Sequence, residues 1–250
     1  MNLAILTDTT KCIGCSQCEI ACKRVNHLPP DLPRRWDRDD GLSAQNWTSI
    51  VEGPKHAFVR KQCRHCLEPA CASACPVGAL HKTETGAVVY DKDKCMGCRY
   101  CMMACPYGIP RYDWAAAVPY IRKCILCYDR IKTGGQPACT EACPTKATIF
   151  GNRSELLVEA HNRMNQNRGL YVNKVWGEGE VGGTSVLYIS NVDLSILTQG
   201  KHLDTTPLPA RSAQAMNAVP FAFTGALATM AGLNWIIGRR MKLREVKSDE

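Results

Sequence analysis

The chain has 250 residues, a hydrophobic fraction of 45% with few aromatics (7%), and a formal charge of +8. That length allows one substantial domain or two small ones. Its sixteen cysteines mean disulfides in an oxidising compartment or bound metal in a reducing one, so their spacing must decide.

In chain order, the first apolar run, residues 3–6, reads as a short strand. It is too short, and lacks the basic flank, to be a signal peptide. A first cysteine block follows: Cys12, Cys15, Cys18 and Cys22. Residues 24–54, with Pro29-Pro30, Pro33 and several charges, read as an irregular insertion. The Arg34-Arg35 pair within it precedes Trp-Asp-Arg-Asp-Asp rather than an apolar stretch, so no twin-arginine signal is expected. The second block is Cys63, Cys66, Cys71 and Cys75, and the third is Cys95, Cys98, Cys101 and Cys105. Between them, Thr85-Gly86 closes a predicted hairpin joining 79–80 to 87–90. The fourth block is Cys124, Cys127, Cys139 and Cys143. A polar stretch over 152–170, carrying Leu156, Leu157, Val158 and Met164, predicts one surface helix, and Thr205 to Pro209 reads as a stiff linker. Residues 212–238 carry no charge, and the basic run Arg239-Arg240-Met241-Lys242-Leu243-Arg244 follows directly. About 20 apolar residues suffice to cross a bilayer, so 219–238 is read as a single transmembrane helix, with a helix packed on the domain as the rival reading.

No cysteine is left over, and every block ends in C-x3-C. Blocks one and three share C-x2-C-x2-C-x3-C, the spacing of bacterial ferredoxins. Three cysteines two residues apart on a tight loop reach three corners of a cubane. The fourth, on the following turn, points to a different cluster. Proline follows at Pro76, Pro106 and Pro144, but Lys23 follows Cys22. Asp8 and Asp91, Lys11 and Lys94, and Gly14 and Gly97 recur at equal positions around blocks one and three, and the two glycines let backbone N–H groups approach sulfur. Blocks two and four share another ending, Cys75-Pro76-Val77-Gly78-Ala79 against Cys143-Pro144-Thr145-Lys146-Ala147. Two block types therefore alternate. Blocks two and three form one two-cluster unit, nested inside a second unit made by blocks one and four. Zinc suits paired C-x2-C knuckles, and the triple runs place their middle cysteines awkwardly for it. A [4Fe–4S] core on four thiolates carries about −2. Four clusters therefore offset the basic excess, and a nucleic-acid partner is excluded.

The blocks, their order and the gap from Cys127 to Cys139 resemble the four-cluster subunits of molybdenum/tungsten oxidoreductase and hydrogenase complexes. The resemblance covers 1 to about 200. Trp176-Gly177-Glu178 and the run from Glu180 to Tyr188 are similar to the beta subunit of membrane-bound formate dehydrogenase. The fold implied is α+β: two nested bacterial-ferredoxin-like units (outer 1–23 with 120–150, inner 60–110) within 1–200, a linker over 201–218, a transmembrane helix over 219–238 and a basic cytoplasmic tail over 239–250. The ligand sets implied are Cys12, Cys15, Cys18 with Cys143; Cys124, Cys127, Cys139 with Cys22; Cys63, Cys66, Cys71 with Cys105; and Cys95, Cys98, Cys101 with Cys75. Some relatives replace a third-block cysteine and hold [3Fe–4S]; Cys98 is kept here.

The function implied is electron transfer, with no catalytic site of its own, through four [4Fe–4S] clusters. They would link a catalytic molybdenum/tungsten formate dehydrogenase subunit, or a hydrogenase or other molybdopterin reductase, to an integral membrane cytochrome b or quinone-reactive subunit. A soluble polyferredoxin and a zinc-stabilised binding module are the alternatives. Lys201 and Arg211 precede the apolar span, while Arg239, Arg240, Lys242, Arg244 and Lys247 follow it. The basic tail is therefore expected in the cytoplasm. The ferredoxin domain is expected in the periplasm, exported with a signal-bearing partner as the resemblance implies. His65 reads as a packing or hydrogen-bonding residue, and His27, His56, His81, His161 and His202 lack metal spacing. Met96, Met102 and Met103 read as padding around clusters. Arg99, Arg122, Lys123 and Arg130 are either tuning charges or solvated surface, and Tyr112, Trp114 and Trp176 read as interface packing, with a place between centres as the alternative.

Overall fold

The computed structural model describes residues 2–31, 40–118, 120–198, 200 and 202–248. The first apolar run forms β1 (Leu3–Asp8), and α1 (Gln17–Val25) follows the first cysteine block. A hairpin of β2 (Thr48–Glu52) and β3 (Phe58–Gln62) leads into block two. Next come α2 (Ala70–Ser73), the hairpin β4 (Leu80–Lys82) and β5 (Val88–Tyr90), α3 (Tyr100–Ala104), and the two-residue pair β6 (Arg111–Tyr112) and β7 (Ile121–Arg122). Block four is carried by α4 (Tyr128–Lys132) and α5 (Ala138–Glu141), followed by β8 (Thr148–Asn152), α6 (Arg153–Gln166) and β9 (Val186–Ile189). The last element is α7 (Leu208–Ser248).

Strand β1 is the centre of a three-stranded sheet, antiparallel to β8 and parallel to β9. Because a strand alternates its side chains, Ile5 enters one apolar cluster while Ala4 and Leu6 enter another, which Leu156 and Ala160 of α6 cover. Each large aliphatic side chain buried this way contributes about 1.5–3 kcal/mol. The sheet has a direct consequence for the cysteines. The strand entering block one pairs with the strand leaving block four, and α1 packs against α5. Likewise α2 packs against α3, with the β4–β5 hairpin between blocks two and three. The predicted strands at 3–6 and 87–90, the Thr85-Gly86 hairpin and the helix within 152–170 are all present.

Two expectations are corrected. Residues 24–54 are not wholly irregular: α1 runs to Val25, and Thr48–Glu52 is a strand held by β3 and by Ile50 N–H donating to Glu19 Oε1 at 3.1 Å. A five-residue strand owes its form to such partners rather than to its own propensity. Pro33 and the Arg34-Arg35 pair lie outside the described residues. The linker also ends early, because α7 starts at Leu208; Pro209 in its first turn lacks only an N–H that the helix would leave unpaired anyway.

The chain divides into two compact units, Met1–Pro209 and Ala210–Glu250. In the second, Phe221 is 79% exposed and Trp235 64%. The hydroxyls of Thr224 and Thr229 donate to Phe221 O at 3.0 Å and Gly225 O at 2.9 Å, so both are satisfied within the helix. Among the described residues, Leu208–Met241 is the one stretch long and apolar enough to cross a membrane. Arg239 lies over the Trp235 ring at its end, 5.5 Å from the centroid.

Candidate metal centres

The cysteine loops are built from left-handed backbone. Gly14 and Gly97, at φ +67° and +74°, curl the loop so that backbone N–H groups turn toward the cysteine two residues earlier. Gly97 N–H lies 3.4 Å from Cys95 Sγ. Ser16 and Arg99 repeat the left-handed turn two residues later, at the starts of α1 and α3. In blocks two and four, His65, Leu126 and Cys127 adopt it as well. Such conformations cost a non-glycine residue about 1–2 kcal/mol, and their concentration at the cysteines marks a site where the surroundings hold the strain.

After Cys75, Cys105 and Cys143 the prolines lead into a second recurring turn, left-handed at Gly78, Gly108 and Lys146. This turn wraps N–H groups onto the preceding thiol. Burial raises the pKa of Cys75, but backbone N–H groups of Leu80, Val77, Ala79 and Gly78 outweigh it and bring the thiol below its ordinary value. Cys143 is lowered in the same way against its own burial, by Thr148, the Thr145 hydroxyl, Ala147 and Thr145 N–H. Cys105 receives Ile109, Tyr107 and Gly108, yet deeper burial leaves it raised. Cys22 is different. With Lys23 in place of proline, α1 continues past it, and its described donor is the Asn26 side-chain amide at 3.6 Å. Burial first, then neighbouring Cys139 and Cys127, push its thiol up.

The sixteen cysteines gather in four sets. Cys12, Cys15, Cys18 and Cys143 line one cavity; Cys22, Cys124, Cys127 and Cys139 line a second; Cys75, Cys95, Cys98 and Cys101 line a third. Around Cys66 stand Cys63, Cys105 and Cys71, whose charges add to burial in raising its thiol. Burial likewise leads in pushing Cys18 and Cys71 up to about 12 and Cys101 to about 11. Among the described residues, no three His, Cys, Asp or Glu side chains converge tightly enough for a single metal ion. Sulfurs standing around a space suit a cubane, which several irons fill, better than a zinc ion at about 2.3 Å from each sulfur.

Other residues singled out in the sequence fall into place. His65 is fully buried and accepts Val88 N–H on Nδ1 at 2.9 Å, a hydrogen-bonding role. Met96 lines the third cavity and Met102 packs beside Cys101. Met103, in contrast, is 87% exposed and pads nothing there. Arg99 lies over Tyr112 and Trp114, themselves an edge-on pair at 4.7 Å. Lys123 is buried, not solvated, and donates to Val88 O and to Cys124 O. Trp176 is buried in the main apolar cluster, with its backbone paired to Tyr188.

Arg60 and Arg64 were missed. Both are buried, at 1% and 2% exposure. Arg64 is stacked on Tyr188 and Tyr107, 4.1 and 5.1 Å from the ring centroids, while Arg60 lies among the cysteines. The one signal for them is a basic strand, Phe-Val-Arg-Lys-Gln, running without an acid into Cys63-Arg64-His65-Cys66.

Comparison with known proteins points to the same kind of cofactor. Residues 54–153 match a 4Fe-4S dicluster domain family. A protein of Nitratidesulfovibrio vulgaris Hildenborough is 44% identical over 88% of this chain, which spans only 62% of that relative's length. The hydrogenase-2 operon protein HybA of Escherichia coli O157:H7 is 37% identical, over 96% of this chain and 85% of its own length. The iron-sulfur subunit of the nitrate-inducible formate dehydrogenase of Escherichia coli K12 is 35% identical, over 93% and 83%. The chain, with four [4Fe–4S] clusters as its cofactors, belongs to the family of iron–sulfur electron-transfer subunits of hydrogenase, dimethyl sulfoxide reductase and formate dehydrogenase complexes.

Proposed function

We propose that this chain relays electrons through its four clusters between a catalytic oxidoreductase subunit and an integral membrane cytochrome b or quinone-reactive subunit. The observation that carries the reading is the crossed placement of cysteines, three from one block facing the last of another. We take those four sets as the four ligand sets, and the pairing of β1 with β8 around the β4–β5 hairpin as two nested units. The clusters supply one-electron redox chemistry when bound. The chain's own part is to hold them in fixed positions, to exclude water by burial, and to aim N–H groups and buried cations at sulfur. α7 would anchor the domain in the bilayer, with its basic end in the cytoplasm and the ferredoxin domain on the periplasmic face.

A formate dehydrogenase catalytic subunit, with molybdenum or tungsten, is the partner proposed, from the segment around Trp176 and the formate dehydrogenase relative. A hydrogenase or another molybdopterin reductase is the second reading, favoured by the HybA match over 96% of the chain. Anaerobic purification of the complex tests both levels. About 16 iron and 16 acid-labile sulfide per chain are expected, with brown absorbance near 400 nm. Zinc with little sulfide would overturn the electron-transfer reading. Bleaching by formate identifies the first partner, bleaching by hydrogen a hydrogenase, and bleaching by neither another molybdopterin reductase.

A further inference from the structure

We propose that Arg60 is a shared counter-cation for the two outer clusters, its guanidinium donating to sulfur on both and setting their potentials together. The inference rests on the four-cluster reading. Strand β3 carries Arg60 into the interior at 1% exposure, between Val59 and Gln62, which are equally buried. A guanidinium offers five N–H donors, yet little of the described protein receives these. Nη2 reaches Thr7 Oγ1 at a long 3.4 Å, and Nε and Nη1 have no described partner.

A buried cation in that state is costly unless anions surround it. Its principal electrostatic neighbours are not carboxylates but Cys139, Cys18 and Tyr188. It also acts on Cys12, Cys22 and Cys127. These cysteines belong to two sets: Cys12 and Cys18 to one, Cys22, Cys127 and Cys139 to the other. Arg60 itself lines the cavity of the first. The other buried cations differ. Arg64 is stacked between two tyrosine rings, Lys61 pairs with Asp40 at 2.9 Å, and Lys123 and Lys23 donate to backbone carbonyls. Arg64 too leaves one nitrogen, Nη2, without a described partner, but Arg60 leaves two, Nε and Nη1, and it has them where two cysteine sets meet.

A cation at that point stabilises the more negative, reduced state of each neighbouring cluster and so raises both potentials. The test is a redox titration of the anaerobic complex followed by electron paramagnetic resonance, with the outer clusters identified by the lesions of Cys143→Ser and Cys22→Ser. Arg60→Met should retain about 16 iron per chain and move both outer midpoint potentials downward, leaving the inner two in place. Arg60→Lys, which keeps the charge, should restore most of the shift. If the Met variant does not load, Arg60→Gln, neutral but still a donor, should show the same paired shift. Unmoved outer potentials, a shift in one alone, or an equal shift in all four would overturn the inference. Fewer than four clusters in the unsubstituted complex would instead defeat the four-cluster reading, and the inference with it.

Discussion

Gly14 and Gly97 occupy equal positions in the repeat, both left-handed, but they are backed by different neighbours. A Cβ built on Gly14 would meet three ring atoms of Phe58 at 2.8–2.9 Å, closer than side-chain carbons approach. One built on Gly97 meets only the Tyr112 hydroxyl, at 3.1 Å, at the far end of a side chain that can swing. Alanine at either site costs about 1–2 kcal/mol for its left-handed backbone. At Gly14 the ring must also move, adding about 1–3 kcal/mol as overpacking does. Each kcal/mol lowers the melting midpoint of a unit this size by about 2–4 °C. Gly97→Ala should therefore melt about 2–8 °C lower and Gly14→Ala roughly 4–20 °C lower. The assay is loss of absorbance near 400 nm on heating anaerobically at one fixed scan rate, because cluster loss is irreversible. A Gly97→Ala midpoint equal to or below that of Gly14→Ala would refute the reasoning, for then the aromatic wall behind Gly14 sets nothing.

Four further outcomes are expected. Cys143→Ser should damage the cluster of Cys12, Cys15 and Cys18, and Cys22→Ser that of Cys124, Cys127 and Cys139; resonance spectra assigning each lesion to its own block's cluster would refute the crossing. Asn26→Ala removes the described donor to Cys22, so one outer potential should fall while the other holds, in contrast to Arg60→Met. His65→Ala strands the buried Val88 N–H and should cost about 1–3 kcal/mol in stability, read as an earlier bleaching midpoint. Protease added to intact spheroplasts should digest the ferredoxin domain and spare the basic tail; a protected domain with a digested tail places it in the cytoplasm.

The cysteine chemistry was legible because it is local. Spacing of two and three residues is fixed by the geometry of one loop, and the repeat around Gly14 and Gly97 announces the same loop twice. β1, the β4–β5 hairpin and α6 carry their own apolar periods or turns. What stayed hidden depends on distant partners. Thr48–Glu52 is a strand because β3 and Glu19 make it one, and β9 is defined by lying parallel to β1. The segment from Trp176 to Tyr188, which pointed to formate dehydrogenase, has a structural cause. Trp176 and Tyr188 exchange backbone hydrogen bonds at 2.9 and 3.0 Å, and a Cβ on Gly177 would stand 2.8 Å from Val186 O. Those contacts give the segment a packing role in the core of this chain.

The basic excess is the point where sequence and structure correct each other most. A charge of +8 spread over a solvated surface would say little. Here Lys23, Arg60, Lys61, Arg64 and Lys123 are all buried, each in the helix, strand or loop next to a cysteine block. Lys61 answers to Asp40, but Arg60 faces cysteines, among them Cys18, whose thiol burial pushes up to about 12. Without iron, a neutral thiol there leaves the cation uncompensated, which is the costly state for a buried charge. Ligation replaces thiol protons with metal and turns the same surroundings anionic. Cluster binding therefore contributes to folding here not only by cross-linking four blocks but also by neutralising a charge the fold has already placed inside.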